Sequence, residues 1–159
     1  MSDTGRDMLR HTLATLAYRA AKAVRGAPAG FGEFQASPTS RTPAQILAHL
    51  CDLMDWALSQ ARGKQAWTDT TPQSWDEDTA RLFTAMRALD DYLASPEPLA
   101  YGPGQIFQGA IADALTHVGQ VNFLRRMAGA PVRGENYFRA DIASGRVEAD
   151  QAAPRREFD

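Results

Sequence analysis

The sequence predicts an all-α protein, a four-helix bundle followed by an irregular C-terminal tail. Three observations carry that reading. Three segments repeat apolar residues at the helical period and stop at Gly or Pro. A fourth, Gln105 to Met127 (QIFQGAIADALTHVGQVNFLRRM), is apolar or small almost all the way round, the mark of a central helix. Between the helices lie connections rich in Gly, Pro and Ser. At 159 residues one domain is the simplest organisation, with the bundle over residues 1–130 and the tail over 131–159.

The first helix is expected over residues 6 to 25, with Leu9, Leu13, Leu16, Ala17, Ala20 and Val24 facing inward and Gly26 and Pro28 ending it. His11 falls opposite that stripe, where a solvated surface residue is expected. Ala27 to Arg41 is irregular but carries Phe31 and Phe34, so it should pack back on the body, as a satellite contact or as the wall of a pocket. Thr42 and Pro43 open the second helix as N-cap and first helical residue. Its inner stripe is Ile46, Leu50, Leu53, Trp56 and Ala57, and His49 lies within it. Taken alone, such a histidine is more often a hydrogen-bonded core residue than a metal ligand.

After a second connection with Trp67 near its centre, Asp76, Glu77 and Asp78 suit the start of a third helix. Leu82, Phe83, Ala85, Met86, Leu89 and Leu93 face in, and Arg81, Arg87, Asp90 and Asp91 read as a solvated face. The Ser95–Pro98 stretch breaks this helix, and Gly102 to Gly104 lead into the fourth. Gly129 is expected as its C-cap, with Arg125 and Arg126 suiting its negative end. Beyond it no period is sustained; Tyr137, Phe138 and Ile142 are candidate anchors, and Ala152 to Asp159 are expected to fray.

The fourth helix holds the first hint of chemistry. At about 100° per residue, Phe107, Ile111, Ala114, Val118 and Val121 form one stripe, and Ile106, Ala110, Asp113, His117, Gln120 and Leu124 another. A third edge of Gly109, Ala112, Thr116 and Gly119 is small enough to admit another helix backbone. Asp113 and His117 are thus one turn apart on a face expected to be buried. Burial of both groups is costly unless each is hydrogen-bonded, paired or bound to a metal.

Composition narrows the classes. With 17 basic and 19 acidic residues the formal net charge is −2, so no global bias toward nucleic acid or anionic membrane exists. No apolar run approaches the roughly 20 residues of a membrane span, and the N-terminus lacks a signal-peptide pattern. A cytoplasmic location is the default expectation. Cys51 is the only cysteine, on the side of its helix away from His49, so neither a disulfide framework nor a Cys–His nucleophile is expected. Nucleophile-elbow, dinucleotide and phosphate-loop motifs are absent.

Two stretches, TPAQILAHLCDLMDW and IADALTHVGQVNFLRRMAG, together resemble the DinB/YfiT-like superfamily of four-helix-bundle proteins, over roughly residues 5 to 130. The most specific part is His117-Val118-Gly119-Gln120 followed by Leu124-Arg125-Arg126 and a small residue pair. The resemblance implies a divalent metal held by three residues, commonly three histidines. His49 and His117 match two of them, and Asp113 stands where the third histidine would be. Two histidines and a carboxylate remain a recognised ligand set, so zinc, nickel, iron or manganese is implied. Gln120 is the candidate to orient a ligand or a water from the second shell. The resemblance further implies a homodimer and a metal-dependent thiol transferase, using a low-molecular-weight thiol such as bacillithiol or mycothiol on a small electrophile, or a related hydrolase, with Arg125 and Arg126 available to an acidic thiol or substrate. The alternative is a non-catalytic binding or stress-response bundle in which Asp113 and His117 form a buried structural pair.

Overall fold

Each long helix starts where capping chemistry dictates. The computed structural model describes residues 3–159. Helix α1 (Thr4–Val24) begins after Asp3, whose carboxylate accepts from the Arg6 N–H. Helix α2 (Pro43–Ala61) opens with a capping box: Thr42 Oγ1 accepts from the Gln45 N–H, and Gln45 Oε1 accepts from the Thr42 N–H. Ser74 and Glu77 repeat the device at α3 (Trp75–Ala94). Each such cap is worth about 1 kcal/mol.

The fourth long segment is not one uniform α-helix. Helix α4 (Pro103–Ile106) passes through a π-helical turn (Phe107–Ile111) into α5 (Ala112–Met127), the Ala112 N–H reaching back to the carbonyl of Phe107. The wider turn holds one extra residue and changes the register. Ile106 and Ile111, five apart, are both buried, whereas Phe107, expected on the inner stripe, is 39% exposed.

Around the bundle, α1 and α2 each pack against both α3 and α5, which sets α1 across the core from α2. The inward stripes expected for α1, α2 and α3 are buried, except for Trp56, which is half-buried. The solvated face expected on α3 needs correction: Asp90 is buried and accepts both Nε and Nη2 of Arg10, at 3.0 and 2.9 Å, so it belongs to the α1–α3 interface. Among the described residues no backbone atom of another element lies within 4 Å of a Cβ placed at Gly109 or Gly119 on the small edge of the fourth helix. Gly109 lies against the Trp56 ring, while Thr116 and Gly119 border a cavity.

At the end of α5, Gly129 adopts φ 79°, and the N–H groups of Gly129 and Ala130 return to the carbonyls of Arg126 and Arg125. Arg125 is buried. Its guanidinium donates to the carbonyls of Ala23, Arg25, Gly26 and Ala130, which joins the C-terminal ends of α1 and α5 and leaves it unavailable to a substrate. The tail also departs from expectation. Rather than fraying, Glu157–Phe158 pairs antiparallel with Gly134–Glu135. Glu135 is buried and accepts from the Tyr18 hydroxyl at 2.6 Å and from Lys22 Nζ at 2.7 Å. Tyr137 packs edge-on to Tyr18 and Ile142 packs on the core, but Phe138 is almost fully exposed. No helix among the described residues is long and apolar enough to cross a membrane.

Candidate metal centre

His49 projects from the middle of α2, and Asp113 and His117 from successive turns of α5 just after the π-helical turn. The α2–α5 contact brings the three together, each offering one ligand atom within 4.8 Å of the others. The two carboxylate oxygens of Asp113 divide between the rings: Oδ2 stands 3.6 Å from His49 Nε2, and Oδ1 stands 3.5 Å from His117 Nε2. Charge-assisted hydrogen bonds close to about 2.8 Å. Two ligands on one tetrahedral ion with bonds of about 2.1 Å stand about 3.4 Å apart. Both spacings exceed that of a strong charge-assisted hydrogen bond, and the three groups lie close enough together to share an ion.

Exposure also separates the two uses of Asp113. Its side chain is 47% exposed, against 19% for His49 and 13% for His117. The burial expected for Asp113 is therefore not found, because this face of α5 borders a cavity instead of the core. The carboxylate keeps its hydration and needs no buried partner to remain charged.

Gln120, one turn beyond His117, sets the chemistry of that ring. Its Oε1 lies 3.0 Å from His117 Nδ1. With Nδ1 donating to that oxygen, a neutral ring would present the Nε2 lone pair toward Asp113 and His49. His49 is held neutral by a different route. Partial burial, then His117, then Arg41, push its pKa below the usual value, and Asp113 opposes them only in part. A neutral His49 ring can offer its lone pair to a divalent cation.

Two aromatic residues brace His49. Trp67, from the connection between α2 and α3, meets the imidazole edge-on at 5.6 Å between ring centroids, and Trp56 meets Trp67 at 5.8 Å. The other side of the site opens into a cavity of about 730 Å³. Ile46, Phe123, Leu124 and Met127 give it an apolar lining, and Arg41 and the two histidines add polar groups. The long connection before α2 supplies part of the wall, through Ala36 and Ser40. It also makes the apolar contact expected of it, with Phe31 buried edge-on against Trp75.

The structure thus brings together His49, Asp113, His117 and Gln120, and sets Arg125 apart from them. Trp67 and Arg41 were not singled out by sequence reasoning. A tryptophan inside an otherwise polar connection is the one local signal that could have flagged the first. His11 is exposed on α1, and Cys51 is buried, its thiol donating to the Asp78 carbonyl. Compared with protein-family models, with curated proteins and with solved structures, the chain has no significant match.

Proposed function

We propose that the protein binds a divalent cation through His49, Asp113 and His117 and uses it on a small molecule held in the adjoining cavity. The reading is supported above all by one observation: two imidazole nitrogens and a carboxylate oxygen converge within 4.8 Å of one another, a recognised ligand set for a divalent cation. His117 Nε2 and His49 Nε2 supply neutral nitrogen ligands, and Asp113 adds an oxygen ligand and a negative charge that favours zinc, nickel, iron or manganese over softer ions. The cavity lined by His49 and His117 leaves room for an exogenous ligand beside the three protein groups. A cation held there would lower the pKa of a thiol or water drawn to it, the chemistry that the DinB/YfiT-like resemblance implies for a thiol-dependent transferase. Meanwhile Trp67 covers one side of His49, and Gln120 fixes the tautomer of His117.

The test is metal content of the untagged protein after equilibration with zinc, nickel, iron or manganese. About one ion per chain is expected for the wild type, with loss in His49→Ala and His117→Ala. Wild-type protein that takes up none of the four metals would overturn the reading and leave a non-catalytic bundle.

A further inference from the structure

Among the described residues the Arg41 guanidinium has no ion-pair or hydrogen-bond partner, and its charge is felt by His49. It stands at the mouth of the 730 Å³ cavity and also of a smaller cleft of about 250 Å³, with His49 shared between the two. The nearest carboxylates in that cleft are already engaged. Asp52 accepts from Thr70 and Arg81, and Asp69 accepts from Trp67 Nε1. The backbone leading to Arg41 is tied down locally: Gln35 Nε2 donates to the carbonyls of Ser37 and Ser40, and the Ser37 and Ser40 hydroxyls bond back to the same turn. The cation is therefore presented from an ordered stem, directly before the N-cap of α2.

The same cavity also has an apolar lining. Phe123 and Met127 leave 63% and 50% of their surface exposed on the face of α5 that borders it, beside Ile46 and Leu124. Large exposed apolar groups and an unpaired guanidinium lining one cavity are the two halves of a site for an amphipathic anion. One planar fork matches a carboxylate, and the acids of the adjoining cleft disfavour a dianion such as a phosphate monoester.

The geometry points to Arg41 as the residue that selects the ligand of this cavity, and to small carboxylates bearing an apolar chain or ring as the ligand class. The assignment rests on the same cavity being the working site of the proposed metal centre, but not on the metal being bound. Arg41 holds the carboxylate, and the apolar body lies along α5.

The experiment is calorimetric titration of the full chain, chelator-treated and zinc-equilibrated, with octanoate, octan-1-ol and octyl phosphate. Octanoate is expected to saturate at one per chain in both forms. Arg41→Gln is expected to weaken octanoate about tenfold and to leave octan-1-ol unchanged. Arg41 is exposed, so the variant keeps the wild-type melting temperature. Octanoate bound equally by Arg41→Gln, or bound only with zinc and lost in His117→Ala, would place the carboxylate on the cluster and overturn the assignment. Tighter binding of octyl phosphate, or no binding of octanoate, overturns it as well. Metal content is measured on the same samples, so protein that binds metal but not octanoate disproves the role of Arg41 alone. Protein that binds octanoate but no metal disproves the metal centre alone.

Discussion

Asp52 accepts two hydrogen bonds from one residue, the backbone N–H of Thr70 at 2.9 Å and its hydroxyl at 2.6 Å. The same carboxylate takes Arg81 Nη2 at 2.6 Å from α3. Asp52 lies one turn beyond His49 on α2, and Thr70 three residues beyond Trp67, so one buried acid pins the connection that lays Trp67 against the His49 ring. Helical spacing on α2 therefore couples the presentation of His49 to the loop that covers it.

Removing that pin should be measurable as stability. Asp52→Ala leaves Thr70 without its acceptor and Arg81 with only the exposed Asp55, while Arg81 Nη1 already lacks a partner. A fully buried pair broken on one side costs about 3–5 kcal/mol. Arg81 is partly exposed, so screening should hold the loss to about 2–3 kcal/mol. Urea unfolding reads the loss, and Trp67 emission should shift as the ring leaves His49. A variant with the wild-type midpoint and emission would refute the pinning role.

The hydrogen bond from His117 to Gln120 predicts a graded metal phenotype. Gln120→Ala keeps all three ligand groups but frees the tautomer and rotation of the His117 ring, and zinc affinity should fall about tenfold. His117→Ala should abolish tight binding, whereas Asp113→His, which restores three imidazoles, should retain it. Competition against a chromophoric zinc chelator orders the three variants. Gln120→Ala with wild-type affinity would show that Gln120 is a bystander.

How much of this was legible follows from where each signal lies. The stripes of α1, α2 and α3 are local and periodic, and residues such as Leu13, Leu50 and Leu89 are buried as that period requires. Asp113 and His117 were readable as neighbours because four residues make about one turn. The approach of His49 came only through resemblance, since nothing local links α2 to α5. The exposure of Phe107 escaped because a uniform 100° step does not hold across the π-helical turn, and that of Asp113 because its face of α5 borders a cavity. Asp90 looked solvated because its partner, Arg10, lies 80 residues away. Trp67 and Arg41 sit in connections without period, where local sequence carries no information on which surface the loop meets.

Arg125 illustrates the same separation with an energetic consequence. Its guanidinium reaches carbonyls about 100 residues earlier in the chain, where the end of α1 carries partial negative charge. Burial pulls its pKa below the ordinary arginine value, but no carboxylate is needed because the carbonyls satisfy its N–H groups. Arg125→Met keeps the apolar stem and strands those acceptors, so a loss of about 2–3 kcal/mol is expected. Arg125→Lys should recover only part of it, because a single ammonium cannot span four carbonyls. Equal stability of the lysine variant and the wild type would contradict the bridging role.

Cys51 offers a pH signature with a definite sign. Burial pushes its thiol up to about 12 from an ordinary 9.0, with Arg81 opposing and Asp78, Asp52 and Asp55 reinforcing the shift. The fold therefore favours the protonated thiol. Its contribution is fully present below the unfolded value near 9 and is lost as pH rises from there toward about 12. Native protein at pH 8 should react with a thiol reagent only through unfolding, and one thiol per chain should appear at once in urea. Cys51→Ala should lose about 1 kcal/mol at neutral pH from the small void it leaves. Between pH 9 and 11 its stability should then fall less steeply than that of the wild type, because the remaining titrating groups are common to both. Parallel alkaline profiles would show that the Cys51 thiol does not titrate differently in the folded and unfolded chain.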